Sequence, residues 1–269
     1  MTADDVDAPP PEIVLHDGAD EVAEALASRL VERLAALQSS GHDPQVALTG
    51  GRIATKAYAR LAADGAGSAV DWGRVDLWWG DERFVPADDD ERNAKPALDL
   101  VREPLALAAD RIHEMPGADG DLGLDDAAVA YADELGTTAF DICLLGLGPD
   151  GHIASLFPEH PSSRTEGEVI AVRNSPKPPP DRLSLTLSVI NRSSEVWFVV
   201  SGADKADAVA LALQGAGPLQ VPGAGAHGTV RTLWLIDREA ASKLPDHLVD
   251  STAGSLALGL APGLRSSSA

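Results

Sequence analysis

Short apolar runs alternate with amphipathic segments along most of the chain, and this alternation constrains the fold more than any other feature. Runs rich in Val, Leu and Ile predict strands, whereas apolar residues spaced three and four apart predict helices. Strands that alternate with helices favour an α/β architecture, in which a mainly parallel central sheet has helices on both faces. The predicted strands are 12–16, 45–51, 74–82, 111–115, 140–148, 168–172, 182–190 and 196–202, the predicted helices are 20–38, 53–64, one within 91–102, 124–136 and 204–213, and a further apolar segment covers 232–244.

Polar and glycine-rich segments follow several of the predicted strands. They are TGGR (49–52), GDER (80–83) and GLGPDGH (146–152), and a proline-rich loop, RNSPKPPPDR (173–182), carries two further cations. Open α/β sheets bind ligands at the carboxyl ends of their parallel strands. We therefore expect the functional residues to gather in these segments.

The composition limits the partners of the protein. A chain of 269 residues with 44% hydrophobic residues is long enough for one large α/β domain or two modest ones, and no repeat or interdomain linker is evident. The formal charge of -21 repels nucleic acid and anionic lipid. The N-terminal segment lacks the basic start and apolar stretch of a secretory signal, and no window resembles a membrane span. We expect a cytoplasmic protein with no nucleic-acid or membrane partner.

The pair Gly50 and Gly51 lies between a predicted strand and a predicted helix. Backbone N–H groups at such a junction, together with the positive end of the helix, can bind an anion, and Arg52 adds a side-chain cation. A tight turn without a ligand is the simpler interpretation of a glycine pair alone. The phosphate loop of nucleotide triphosphatases, G-x-x-x-x-G-K-[ST], does not occur in the chain.

Charged residues also mark two other segments. Asp81, Glu82 and Arg83 stand at a predicted strand end, where such a cluster, taken alone, is typical of surface ion pairs. Lys177 and Arg182 stand in the proline-rich loop. Such loops are commonly spacers, although a stiff backbone also lowers the entropy cost of directing Lys177 at a ligand.

His152 follows a turn at the end of the apolar strand 140–148. An imidazole exchanges a proton near neutral pH, and the nearby Asp150 carboxylate is placed to fix its tautomer. A structural or solvated histidine is the competing interpretation. No second histidine or cysteine stands nearby at ligand spacing, and the single cysteine, Cys143, lies in a core-like run, so we expect no metal.

The glycines of this segment also fit the dinucleotide-binding pattern G-x-G-x-x-G, at Gly146, Gly148 and Gly151. Such a loop normally opens the first strand–helix unit, with an acidic residue about 20 positions later at a strand end. Here the glycines lie in mid-chain, Pro149 interrupts them, and the next segment does not open a helix. We therefore expect no nicotinamide cofactor.

Six motifs occur in order: LTGGR, WWGDERFVP followed by Asn93, LLGLGPDGHIASLFP, SPKPPPDRLSLTLSVIN, VWFVVSGADKADAV and LWLIDREA. Together they resemble the 6-phosphogluconolactonase family, within the broader group of glucosamine-6-phosphate isomerase/deaminase-like proteins. The resemblance implies a Rossmann-like α/β fold in a single domain over 12–245, and we expect residues 1–11 and 265–269 to be disordered. It also implies hydrolysis of 6-phospho-D-glucono-1,5-lactone to 6-phospho-D-gluconate in the oxidative pentose phosphate pathway, with no metal or organic cofactor.

The resemblance further implies roles for individual residues. His152 would be the general base that activates water, and Asp150 would orient it. Asp81 would hold sugar hydroxyls or position water, and Arg83 would bind phosphate or stabilise charge on the carbonyl oxygen. The implied phosphate ligands are Gly50, Gly51, Arg52, Lys177 and Arg182. Two residues depart from the family pattern: Arg52 replaces a small residue, and Arg92 replaces a serine that often precedes the position of Asn93.

Two other functions are alternatives. Amino-sugar phosphate deaminases and isomerases share the glycine loop and D-G-H, but they typically have a glutamate five residues after the histidine, where this chain has Phe157. A non-catalytic sugar-phosphate sensor would need a DNA-reading module, and none fits before residue 12. We therefore favour the lactonase, with a sugar-phosphate lactone as its small-molecule partner and a monomer or weak homo-oligomer as its assembly.

Overall fold

The computed structural model describes residues 9–65 and 68–248. Its strands are β1 (Glu12–His16), β2 (Gln45–Leu48), β3 (Asp76–Trp79), β4 (Asp81–Arg83), β5 (Ile142–Leu145), β6 (Val169–Val172), β7 (Arg182–Leu185), β8 (Glu195–Val200) and β9 (Arg231–Asp237). Its α-helices are α1 (Ala19–Ser39), α2 (Arg52–Asp64), α3 (Ala94–Val101), α4 (Leu124–Leu135), α5 (Leu187–Ile190) and α6 (Ala206–Leu213).

Six parallel strands form the central sheet, in the order β1-β9-β8-β5-β2-β3. Every residue of β5 and β8 is buried, because layers cover both faces of the sheet. Side chains alternate between these faces, so Leu144 packs with α1, α2 and α3, whereas Cys143 packs with α4 and α6. The predicted mainly parallel sheet with helices on both faces is confirmed.

A small antiparallel sheet, in the order β4-β7-β6, was not predicted. The predicted strand 74–82 divides at Gly80, so β3 stays in the central sheet while β4 pairs with β7. The segment 182–190 likewise divides into β7 and the short helix α5. This second sheet packs on the face of the central sheet that also carries α4.

The strand predicted at 111–115 is wrong. Ile112 forms one isolated bridge with Leu77, after a 3₁₀ helix at Ala109–Arg111. The next residue, His113, stacks on Trp78 with ring centroids 3.8 Å apart, and its carbonyl accepts a hydrogen bond from the Tyr131 hydroxyl at 3.2 Å. The His113 N–H still donates to the Leu77 carbonyl at 2.8 Å, but the His113 carbonyl bonds to a side chain, so no ladder continues beyond this bridge.

The direction of the chain across the central sheet reverses between β2 and β5. From β2 the chain passes outward to β3, whereas from β5 it proceeds the other way to β8 and β9. Loops that leave such a pair of strands diverge and open a crevice at their carboxyl ends. Residues 49–51 follow β2 and residues 146–148 follow β5, so both glycine segments border this crevice.

The ends of the chain are only partly described. Residues 9–11 lead into β1 without regular structure, and the remainder of the termini predicted to be disordered, 1–8 and 265–269, lies outside the described residues. The predicted domain limits of 12–245 therefore stay a prediction. No α-helix in the described part of the chain is long and apolar enough to cross a membrane.

Candidate active site

An open cleft of about 330 Å³ lies at the crevice between β2 and β5. Asp150 adjoins the cleft through His152, whereas Arg52 is exposed and lines a neighbouring cavity. The expected site residues that line the cleft are Gly50, Gly51, Asp81, Arg83, His152, Lys177 and Arg182. The other lining residues are Thr49, Asn93, Gly146, Leu147, Gly148, Ala154, Pro178 and Lys205.

His152 and Asp150 form a hydrogen-bonded pair through Nδ1 and Oδ1. Burial by itself raises the pKa of Asp150, but the hydrogen bond from His152 and the charges of His152 and Lys177 outweigh it and hold this pKa well below its usual range. Asp150 is therefore ionised and can only accept, so Nδ1 carries the proton. No group within 9–65 and 68–248 bonds to Nε2 of His152, which leaves this nitrogen open to water and substrate.

A tight turn brings this pair together. The backbone N–H of Gly148 donates to the His152 carbonyl at 2.9 Å, and the N–H of Gly151 donates to the Gly148 carbonyl at 2.9 Å. A β-carbon at position 148 would overlap both the imidazole and the Asp150 carboxylate, so their approach to the backbone requires glycine. The buried Phe157 ring packs beside the imidazole, with centroids 4.9 Å apart.

The loop before β7 brings Lys177 to the same pair. Its Nζ lies 3.1 Å from His152 Nδ1 and 3.6 Å from Asp150 Oδ1. Because the Nδ1 proton already points to Asp150, the ammonium interacts with the carboxylate. Burial lowers the pKa of Lys177, and the charge of Asp150 acts against this shift. Arg182 fixes the loop, since its Nε and Nη2 donate to the carbonyls of Lys177, Pro178 and Pro179 at 2.9 to 3.2 Å.

Asp81 is a buried carboxylate with a partner on each oxygen. Its Oδ2 accepts from the Ser155 hydroxyl at 2.7 Å, and its Oδ1 accepts from the Asn93 amide at 3.1 Å. The same amide donates to the Asp81 backbone carbonyl at 2.9 Å. Ser155 belongs to the segment that carries His152, so Asp81 links this segment to the start of α3.

Glu82 and Arg92 form an ion pair whose side chains are each only 1% exposed, with Arg92 Nε 3.4 Å from Glu82 Oε2. Burial raises the pKa of Glu82, while Arg92 and the backbone N–H donors oppose this shift. Asn93 packs against Gly50, where a β-carbon would overlap its side chain. Glu82 is therefore not part of a surface ion pair. It anchors the segment that carries Asn93. The N–H groups that donate to it, at 2.6 to 2.9 Å, belong to Arg83, Asn93 and Ala94.

Lys205 lines the cleft, although the sequence did not indicate it as a site residue. It ends the 3₁₀ helix Ala203–Lys205, which follows β8, and it lines both the cleft and the neighbouring cavity. Residues 204–213 were predicted as a helix, so the sequence did not show that Lys205 lies just beyond the carboxyl end of β8. The rule that located the other residues, the carboxyl end of a parallel strand, also applies here.

Four cations therefore line one cleft of a strongly acidic chain: Arg83, Lys177, Arg182 and Lys205. Arg83 is fixed by a hydrogen bond from Nη1 to the Glu91 carbonyl at 2.5 Å. A local concentration of positive charge attracts an anionic ligand, and phosphate is the anion that arginine and lysine commonly bind. Among the described residues, no group of three or more His, Cys, Asp or Glu side chains is placed to hold a metal ion.

Comparisons with known proteins show which family the chain is similar to. The sequence model for glucosamine-6-phosphate isomerases/6-phosphogluconolactonase matches residues 17–234. The chain is 49% identical to a 6-phosphogluconolactonase from Streptomyces coelicolor, over 88% of this chain and 96% of the relative. It is 45% identical to that of Mycobacterium tuberculosis, over 87% and 98%. The crystal structure of 6-phosphogluconolactonase from Thermotoga maritima superposes with a TM-score of 0.74 at 25% identity, over 84% of this chain and 100% of that one.

Proposed function

The chain belongs to the glucosamine-6-phosphate isomerase/6-phosphogluconolactonase family, and from this membership and the geometry of the cleft we propose its activity and the roles of its residues. It is an enzyme that hydrolyses 6-phospho-D-glucono-1,5-lactone to 6-phospho-D-gluconate, a step of the pentose phosphate pathway. The observation that carries the proposal is the His152–Asp150 pair, which leaves Nε2 open in a cleft lined by four cations.

His152 is the general base of the proposed mechanism. Nε2 accepts a proton from water as the water oxygen attacks the lactone carbonyl carbon. The ionised Asp150 stabilises the imidazolium that forms and keeps the ring in the correct tautomer. As the bond between the carbonyl carbon and the ring oxygen breaks, the imidazolium returns the proton to that oxygen. One water is consumed and no electrons are transferred.

The magnitude of this assistance suits the reaction. A positioned general base raises the reaction rate about 10²- to 10⁴-fold, and holding water and lactone together raises it further. A lactone is an activated ester, so no stronger nucleophile is required. Arg83 lies in the same cleft, where its guanidinium can stabilise charge on the carbonyl oxygen or bind the phosphate.

The phosphate binds at the N-terminal end of α2 in this proposal. Gly50 and Gly51 precede that helix, whose positive end favours an anion, and Lys205 borders the same space. Lys177 and Arg182 add positive charge from the facing loop. Arg52 lines the neighbouring cavity and not the cleft, and its contribution is therefore smaller.

Asp81 and Asn93 bind the hydroxyls of the sugar. Both side chains line the cleft, and each is already held by the other, so little side-chain entropy is lost when the substrate binds. Because Ser155 occupies one oxygen of Asp81, that oxygen keeps a fixed direction. The substrate is the only partner that the proposal requires, and a monomer or weak homo-oligomer satisfies it.

Phe157 argues against amino-sugar deamination at this site. It packs beside the His152 imidazole where the deaminases typically carry a glutamate, and it offers no proton. A direct comparison tests the proposal: the purified protein receives fresh 6-phosphogluconolactone, or glucosamine 6-phosphate, in parallel assays. We expect lactone opening far above the spontaneous rate and no ammonia release. Ammonia release without lactone opening would overturn the proposed function.

A further inference from the structure

The last strand of the central sheet ends in a carboxylate that the proposed mechanism does not use. Asp237 closes β9 and is 3% exposed, so its charge is almost fully removed from water. Within the described residues, its side-chain partners are a hydroxyl and two backbone N–H groups, with no lysine or arginine at ion-pair distance. Burying such a group is costly unless every lone pair is used, so its partners indicate what it does.

These partners tie the end of β8 to the end of β9. The Ser201 hydroxyl donates to Oδ2 of Asp237 at 2.5 Å, and the Gly202 N–H lies 3.1 and 3.2 Å from its two oxygens. The N–H of Ala240, on the far side, donates to Oδ1 at 2.8 Å. A carboxylate can accept all these bonds at once, whereas an amide has one oxygen and a donating nitrogen.

The residues that Asp237 holds determine where Lys205 stands. Gly202 has φ of +106°, a conformation that side-chain-bearing residues rarely adopt, and it begins the turn that leads into the 3₁₀ helix Ala203–Lys205. The Lys205 N–H donates back to the Gly202 carbonyl at 3.0 Å. Fixing Gly202 therefore fixes the backbone from which the Lys205 side chain reaches the cleft.

We infer that Asp237 is a positioning residue for the substrate phosphate, acting through Ser201 and Gly202 on Lys205. This inference rests on the proposed function, because it takes the anion beside Lys205 to be the phosphate of the lactone. Asp237 itself does not touch the substrate. Its loss weakens binding of the phosphorylated substrate and leaves the chemistry at His152 intact.

The competing account is that Asp237 only caps the turn after β9 through Ala240. Such a structural role lowers stability without distinguishing one substrate from another. The two roles therefore predict different effects of losing Asp237 on the Michaelis constants for phosphorylated and unphosphorylated lactone. They also predict different energetic coupling between Asp237 and Lys205.

The experiment compares Asp237→Ala, Lys205→Ala and the double variant with the wild type on 6-phosphogluconolactone and on 1,5-gluconolactone. We expect Asp237→Ala to raise KM for the phosphorylated lactone about tenfold, with kcat within about threefold and no change for the unphosphorylated one. In the Lys205→Ala background the same change has little further effect. Glu239→Ala removes a nearby exposed carboxylate and serves as the matched control.

Equal losses on both substrates, or effects that multiply in the double variant, overturn the inference. If Asp237→Ala does not fold, Ser201→Ala provides the milder disruption. It should raise KM for the phosphorylated lactone by a smaller factor, and this increase should again vanish in the Lys205→Ala background. Asp237→Asn keeps one acceptor oxygen and should therefore bind the phosphorylated lactone better than Asp237→Ala. If the wild type opens no lactone, the proposed function fails by itself. Calorimetry with glucose 6-phosphate then decides the inference, which requires weaker binding by Asp237→Ala and is overturned by equal affinity or by no binding to the wild type.

Discussion

Ser155 Oγ donates a hydrogen bond of 2.7 Å to Asp81 Oδ2, and both side chains are buried. This bond joins the segment that carries His152 to the first residue of β4, across 74 positions of the chain. Ser155→Ala leaves one oxygen of a buried carboxylate without its donor, so Asp81 loses its fixed direction. We expect kcat/KM to fall about tenfold while the fold persists.

Steady-state kinetics and thermal unfolding together check this prediction. Ser188→Ala, which removes an exposed hydroxyl on α5, is the matched control and should leave kcat/KM unchanged. Unaltered activity of a properly folded Ser155→Ala protein would show that Asp81 does not depend on this bond.

Asp150→Asn is expected to slow catalysis. The lowered pKa of Asp150 keeps its carboxylate ionised, so this side chain only accepts and holds the proton on Nδ1 of His152. An amide can donate as well as accept, so it no longer selects this tautomer. We therefore expect kcat to fall about 10²-fold.

Steady-state kinetics of the folded variant measure this loss. Glu159→Gln makes the same chemical change on an exposed side chain in the same segment and should leave kcat unchanged. A wild-type kcat for Asp150→Asn would contradict the assigned interaction.

Glu82→Gln is expected to destabilise the fold. It leaves the buried Arg92 guanidinium without its anion and reduces the acceptors available to three backbone N–H groups. Breaking a buried pair from one side costs about 3 kcal/mol of unfolding free energy or more. Denaturant unfolding measures the loss, and the double variant Glu82→Gln with Arg92→Leu should recover part of it. Full stability of the single variant would mean that the pair contributes nothing.

Lys205→Ala and Arg52→Ala distinguish the cleft from the neighbouring cavity. Lys205 lines both spaces, whereas Arg52 lines only the second among the described cavities. We expect KM for the phosphorylated lactone to rise about tenfold in Lys205→Ala and by less than about threefold in Arg52→Ala. A larger effect from Arg52 would place the phosphate in the neighbouring cavity.

The central sheet could be predicted from the sequence because the pattern that specifies each of its strands and helices is local. A buried parallel strand such as β5 is a continuous apolar run, and its helices show their own periodicity. The second sheet depends on pairing between β4 and β7, about 100 residues apart. Gly80 and the charged residues after it indicated only the end of a strand, and the apolar alternation runs on from β7 into α5, so the sequence revealed neither the second pairing nor the short helix.

The same limit applies to the site. His152 and Asp150 stand two residues apart, so their pairing was visible in the sequence. The bonds from Ser155 to Asp81 and from Ser201 to Asp237 join distant segments, and only the fold brings them together. Lys205 was missed because a turn after a strand resembles the first turn of a helix.

His152 activates water for opening of the lactone in the proposed mechanism. NMR of freshly generated 6-phosphogluconolactone follows its disappearance with wild type, His152→Ala and the exposed control His247→Ala, against the spontaneous background. We expect rapid opening by wild type and His247→Ala, and a rate within about tenfold of background for His152→Ala at unchanged stability. Turnover of His152→Ala at the wild-type rate would contradict this role of His152.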